Sequence, residues 1–375
     1  MTPCTVIREI DSFAALARQK GQLNCAVIQG LDLRDGKIDW PSLQCEGATF
    51  LGCKFPDDLN LEILRQNGAM IFPTIPGLPY HPNRGDLYSR EELMEGWAPE
   101  LDYSTDKRIY EHYHAKGKSR CDVIEALAQR IHDHAIDDAL HDLLEGRTER
   151  DGRKKVVGIM GGHGTSRKDP YYQKVACIAR ELTKNGFFIA SGGGPGIMEA
   201  ANLGAWMANA SDETLPVALE ILAQAPVFTD EGYMQRAQDV IDLHPNGGGS
   251  LAVPTWFYGH EPTNLFSRHI AKYFSNSIRE DGLLAIATYG VIFAPGSAGT
   301  TQEIFMDATQ NHYVTFDAIS PMVFLGRQRY QKDTMLYDCI TQLADGKKYA
   351  DHLLCTDEIS AVVAAITSYK PAGLD

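Results

Sequence analysis

Between residues 156 and 300 three short apolar runs each end in glycine-rich chain: VVGIM before GGHGT (161–165), FFIAS before GGGPG (192–196), and GVIFA before PGSAGT (295–300). This recurrence constrains the fold more than any other feature. A short apolar run between small residues reads as a strand buried on both faces. A glycine turn directly after it lets the backbone come close to a ligand as the next helix begins. Helix candidates follow at 169–186 and 195–208, then strand candidates at 250–254 and 321–325, with helices at about 264–281, 300–312, 331–345 and 357–369. Apolar strands alternating with helices predict an α/β chain whose parallel sheet is covered on both faces. Three such turns at the C-terminal ends of strands would face one crevice, where open α/β sheets bind ligands. Residues 209–249 fit this rhythm poorly and read as an insertion ending in HPNGGGS.

The chain of 375 residues exceeds one usual domain. Residues 1–70 carry short alternating pieces, CAVIQGLDL and ATFLGCKF, and predict a separate, smaller N-terminal α+β or β-rich region. Phe50 and Phe55 hint at a pentapeptide coil, but two turns do not make a repeat array. FPTIPGLPYHPNRG (72–85) is too proline-rich for regular structure, so 71–150 reads as a connection with a helical segment, leaving 151–375 as the main domain.

Charge narrows the partners. With 35 Lys+Arg against 49 Asp+Glu, the formal charge of −14 disfavours nucleic acid and anionic membranes but leaves room for a local basic pocket. Eight scattered cysteines without a C-x-x-C pair, an N-terminus with no signal-type apolar core, and no apolar window long enough to span a bilayer point to a cytoplasmic protein with reduced thiols.

SGGGPGIMEA (191–200) opens a helix after a strand, but Ile197 stands where a dinucleotide fingerprint needs its third glycine. HDHAIDDALHD (132–142) puts His134, Asp138 and His141 on one helical face, which reads as a solvated face before it reads as a metal site. No other ligand cluster stands out, so no metal is expected. Thr300-Thr301-Gln302-Glu303 leaves two readings open. It has the spacing of a capping box, and it could equally be the end of an anion-binding loop with a working carboxylate one turn inside the helix.

Together, SGGGPGIMEAAN and APGSAGTTQE resemble the paired signatures of the Lonely Guy family, the second of which is Pro-Gly-Gly-x-Gly-Thr-x-x-Glu. The GGGPG-x-MEA form, and EPTN at 261–264, are similar to the larger bacterial pyrimidine/purine nucleotide 5′-monophosphate nucleosidases. The resemblance covers roughly residues 155–370. It implies a Rossmann-like, doubly wound sheet, a homodimer or higher homo-oligomer, and hydrolysis of the N-glycosidic bond of AMP, GMP or their pyrimidine equivalents without metal or organic cofactor. An older label for such sequences, lysine decarboxylase, would need a lysine in the glycine-rich turns, and none is there.

Carried over residue by residue, the resemblance makes Glu303 the catalytic carboxylate and places Gly296, Ser297, Gly299 and Thr300 in the phosphate-binding loop. Gly192, Gly193, Gly194, Met198 and Glu199 would border ribose and base, with Asn264 of EPTN and Gly162 of the third turn beside them. The family's arginine falls at Glu280 here, so Arg279, one residue away, is the candidate and Arg268 its competitor. Ser297 replaces the second glycine of the family loop and would be strained if that position needs a positive φ. A second function is compatible with the same residues: a sensor or carrier that binds a nucleotide without cleaving it.

Overall fold

The computed structural model describes residues 5–371 except 36, 37, 102, 150, 151 and 317. The chain divides into two compact units, Met1–Leu87 with His112–His141 and Tyr88–Glu111 with Asp142–Asp375, so that 71–150 is shared between them.

In the first unit, β1 (Thr5–Ile7), α1 (Ile10–Lys20), β2 (Ala26–Gln29), β3 (Thr49–Leu51), α2 (Leu61–Gln66) and β4 (Met70–Phe72) build a four-stranded parallel sheet in sequence order. Each strand pairs with the chain 21 or 22 residues further on: Thr5 with Ala26, Val27 with Thr49, Thr49 with Met70. This is a stack of wide coils, where the sequence reading had found no repeat. The period is carried by a single column of apolar residues, Ile7, Ile28, Phe50 and Ile71, which register places side by side and which are too far apart in sequence to read as a repeated motif. Phe55 packs edge-on against Phe50 at 5.3 Å and against Trp40 at 5.7 Å, so the i, i+5 pair fills the interior of one coil.

Helices α3 (Arg90–Met94), α4 (Thr105–Ala115) and α5 (Val123–Leu144) precede the main sheet. On α5, His134 and His141 are exposed and Asp138 is held by Arg8 at 2.8 Å, as a solvated face requires.

The second unit is a Rossmann-like, doubly wound α/β structure. Its strands β5 (Val156–Met160), β6 (Phe188–Ser191), β7 (Leu251–Ala252), β8 (His269–Ile270), β9 (Val291–Phe293), β10 (Met322–Leu325) and β11 (Leu353–Thr356) are all parallel, in the order β11-β10-β9-β5-β6-β7-β8. Helices α6 (Pro170–Lys184), α7 (Ile197–Trp206), α8 (Thr214–Leu222), α9 (Tyr233–Leu243), α10 (Asn276–Ile286), α11 (Ala298–Tyr313), α12 (Leu336–Leu343) and α13 (Ile359–Ser368) connect them. Alternate residues of the central strands serve two layers. Val157, Ile159, Ile292, Ala294, Val323 and Leu325 join the core of α6, α7 and α13. Phe293 and Phe324, pointing the other way, meet each other at 5.5 Å and lead to Tyr330 and Tyr337. Both faces are dry, which is why these strands read as continuous apolar runs.

Two expectations are corrected. The helix expected over 264–281 exists only as α10, because 269–270 pair with β7 as an edge strand. Residues 209–249 contain α8 and α9, whose buried Leu215, Ala218 and Leu222, and Tyr233, Ala237, Val240 and Ile241, keep helical spacing. Strand β11 lies in 346–356, to which the sequence reading gave no element. Among the described residues, no helix is long and apolar enough to cross a membrane, and the seven described cysteines are unpaired.

Phe50→Ala should open a cavity in the coil stack worth about 3–5 kcal/mol. Hydrogen exchange should then quicken in β1–β4 and stay unchanged in β5, β6 and β9. Unaltered protection of β1–β4 would show that this column does not stabilise the unit.

Candidate functional site

The strand order reverses at β5: the chain steps outward through β6, β7 and β8 on one side, then returns to build β9, β10 and β11 on the other. A crevice therefore opens beyond the C-terminal ends of β5 and β9. The three glycine turns meet there. The Gly162 N–H donates to the Pro295 carbonyl at 3.0 Å, and the Ile197 N–H donates to the Gly162 carbonyl at 3.1 Å. This closeness needs bare backbone: Gly196 has φ +68°, and a Cβ on it would collide with the Gly162 carbonyl.

The loop after β9 is fixed by its carbonyls. Ala294 O accepts the Tyr330 hydroxyl at 2.7 Å, Pro295 O the Gly162 amide at 3.0 Å, and Gly296 O the Arg329 Nη2 at 2.7 Å. With these three oxygens taken, the chain enters α11 amide-first. The earliest helical bond is donated by Thr301 to Ser297 O at 3.0 Å, so the amides of Ala298, Gly299 and Thr300 have no partner one turn back. Such a helix terminus attracts anions. Ser297 sits at φ −112°, so the position does not need the positive φ that would strain a serine. Space above Gly299 is open, and the buried Thr300 hydroxyl makes no hydrogen bond among the described residues.

Helix α11 starts at Ala298, so Glu303 is its sixth residue, not the third after a Thr300 cap. The capping-box reading is thereby excluded. Instead Glu303 is 8% exposed and makes no hydrogen bond among the described residues; its nearest charge is Arg279 Nη1, 3.8 Å from Oε1. Burial pushes its carboxyl up to about 7, opposed by Arg279 and assisted by the neighbouring Glu280. One turn further, Asp307 is wholly enclosed, its Oδ2 has no partner, and burial raises its carboxyl to about 8. Arg279 is itself locked: Nε donates to Val253 O at 2.7 Å and Nη2 to Gly192 O at 3.2 Å. Its competitor Arg268 is exposed and donates to Gly247 O at 3.0 Å; the fold does not bring it to Glu303.

The second signature divides. Gly192, Gly194 and Met198 line the crevice floor: a Cβ on Gly192 would strike the Arg279 guanidinium, and one on Gly194 would lie 2.5 Å from Glu261 Oε2 and 2.7 Å from Met198 Cε. Gly193 makes the turn at φ +77°. Glu199 is buried and held within the protein. Arg167 clamps it, with Nε at 2.9 Å from Oε2 and Nη2 at 2.5 Å from Oε1, and Tyr172 adds a hydrogen bond at 2.7 Å. Arg167 is 1% exposed and stacks over the Tyr233 ring, so this is a buried structural pair. Asn264 is likewise structural: its amide donates to Asn202 Oδ1 at 3.0 Å, in a chain with Ser191 and Ser250.

Several side chains escaped the sequence reading. Glu261 opens the EPTN stretch but was passed over for Asn264, and it has no partner within reach among the described residues. Buried Asp106 on α4 accepts from Trp256 Nε1 at 2.7 Å, Thr263 Oγ1 at 2.9 Å and Lys272 Nζ at 2.9 Å, fixing the segment that carries Glu261. No local motif announces such a long-range contact. Among the described residues no group of three or more His, Cys, Asp and Glu gathers as a metal site would.

Residues 154–212 match the SLOG cluster4 family. The match includes the SGGGPGIMEA turn and ends before the loop at 294–303. None of the curated proteins matches the chain. Among solved structures, the chain is similar to the molybdenum cofactor binding protein of Rippkaea orientalis, at 15% identity and a TM-score of 0.36, covering 58% of this chain and 97% of that one. It is also similar to the Moco carrier protein of Chlamydomonas reinhardtii, at 16% identity and a TM-score of 0.36, with 58% and 97% covered.

Glu199→Ala would strand the Arg167 guanidinium in the core, a defect of about 3–5 kcal/mol, whereas Glu303→Gln removes a partly ionised buried group and should cost less than about 1 kcal/mol. Thermal melting should show a large drop for the first and little change for the second. Equal melting of Glu199→Ala and the wild type would contradict the structural role of the pair.

Proposed function

We propose that the crevice binds a small phosphorylated ligand of the nucleotide type, with its phosphate at the N-terminus of α11. The observation that carries this reading is the joining of three bare-backbone turns at the strand-order reversal, over a buried Arg279–Glu303 contact. Phosphate would meet the amides of Ala298, Gly299 and Thr300. Gly192, Gly194 and Met198 would leave room for sugar and base, and Glu261 would accept hydrogen bonds from hydroxyl or amino groups.

For the reaction, the reading is hydrolysis of the N-glycosidic bond of a nucleoside 5′-monophosphate, and Glu303 supports it. A carboxyl with no hydrogen bond and a midpoint near 7 can take a proton from water as the water oxygen bonds to the anomeric carbon. As the carbon–nitrogen bond breaks, with its electron pair going to the base nitrogen, positive charge develops on the ribosyl ring and Glu303, still ionised until it takes the water's proton, stabilises it. The base nitrogen takes up a proton from solvent water and leaves neutral, and Glu303 returns to solvent the proton it took. Arg279, anchored by two carbonyls, keeps the carboxylate available near neutrality. The paired resemblance to the Lonely Guy signatures points the same way.

A second reading, binding without cleavage, has its own support. Arg279 spends Nε and Nη2 on fixed backbone carbonyls and Nη1 on Glu303, so the arginine that resembles the family's catalytic one has little capacity left for a ligand.

Incubation with AMP, GMP, CMP and UMP, with each nucleoside as control, separates the readings. Hydrolysis predicts free base from monophosphates only, a rate that rises with pH through about 7 as Glu303 ionises, and a loss of roughly 100-fold in Glu303→Gln, about 2.7 kcal/mol. Saturable AMP binding with no base released would establish the carrier reading instead. No binding of any monophosphate would reject both.

A further inference from the structure

We propose that Arg329, and not Arg279, supplies the positive charge that meets the ligand's phosphate; this rests on the phosphorylated-ligand reading above. Arg329 lies in a π-helical turn, Gln328–Asp333, that follows β10. Its Nη2 donates to the carbonyl of Gly296, inside the loop whose following amides open α11. The neighbouring Tyr330 hydroxyl holds Ala294 O from the same turn, so one short segment grips the loop on both sides of Pro295.

The decisive contrast is between the two arginines. Arg279 faces Glu303 and two carbonyls, so its charge is compensated within the protein. Arg329 is half-buried, its hydrogen bond goes to a neutral carbonyl, and among the described residues no carboxylate lies within ion-pair distance of it. A half-buried guanidinium with no counter-charge is electrostatically incomplete, and in a chain of net charge −14 a carboxylate could readily have been supplied. The adjoining Thr300 hydroxyl, 5% exposed and without a hydrogen bond among the described residues, is a second unfilled polar group at the same loop. The complement of a guanidinium, a hydroxyl and three free amides is a phosphomonoester dianion. Arg329 thus has two duties: one nitrogen positions the loop and the others face the anion.

The test is calorimetric titration of the full chain with AMP, inorganic phosphate and adenosine. Arg329→Gln keeps a donor for Gly296 but removes the charge, so AMP and phosphate should bind at least about 10-fold more weakly, with adenosine unaffected and melting unchanged. Arg329→Lys should retain most of the affinity, and Arg279→Gln should weaken inorganic phosphate less than Arg329→Gln does. Wild-type affinity for AMP in Arg329→Gln would overturn the proposal while leaving the crevice reading intact. Equal weakening of AMP and adenosine would reduce Arg329 to a loop anchor and also overturn it. A wild-type protein that binds neither AMP nor phosphate would remove the crevice reading and this proposal with it.

Discussion

Everything at the crevice depends on one desolvated contact, Glu303 with Arg279 at 3.8 Å. A carboxylate taken out of water must find hydrogen bonds, find a cation, or become neutral. Glu303 has only the cation, at a distance too long for a hydrogen bond, and so it rests near the midpoint of its titration. Arg279 cannot swing closer, because Val253 O and Gly192 O hold it on the far side. The fold maintains this imbalance by rigid backbone: β6 and its turn provide one carbonyl, the chain after β7 the other, and α10 and α11 carry the two side chains.

The same economy governs the anion loop. Three consecutive carbonyls, from Ala294 to Gly296, are fixed by Tyr330, Gly162 and Arg329. With the oxygens held back, what remains to face the crevice is donors. Gly162 and Gly296 approach so closely that a Cβ on either would be crowded by the other turn. The glycines therefore serve the packing of turn on turn as much as the approach of a ligand. Ser297, which stands where the Lonely Guy signature has glycine, is exposed, at a negative φ, and outside this crowded contact.

Much of this was readable from residues alone. The strands of the main sheet announced themselves because both faces are dry, and their glycine turns marked the crevice. Arg279 came from the resemblance to the Lonely Guy signatures, one residue from where their arginine falls, and it lies 3.8 Å from Glu303. The misses have a common cause, since they depend on contacts distant in sequence. Glu199 resembled a ligand-border residue, yet its partner is Arg167, 32 positions away. Asn264 was chosen over Glu261 because nothing in EPTN says which of the two turns inward. The edge strand at 269–270 was read as helix because its pairing depends on β7. The N-terminal coils remained hidden because a period of about 21 residues is carried by side-chain size and burial, not by a repeated word. Arg329 sits in no motif; its meaning appears only when Gly296 is beside it.

The measurement that bears most directly on this account is an NMR titration of the Glu303 side-chain carboxyl, assigned by comparison with Glu303→Gln. Desolvation beside a locked arginine predicts a midpoint near 7, well above the ordinary glutamate value of about 4.3. It also predicts an upward shift in Arg329→Gln of less than about half a unit, because the lost charge faces the loop and not the carboxylate. A Glu303 midpoint at or below about 4.3 would mean the carboxylate is solvated or tightly ion-paired, and would contradict the account at its centre.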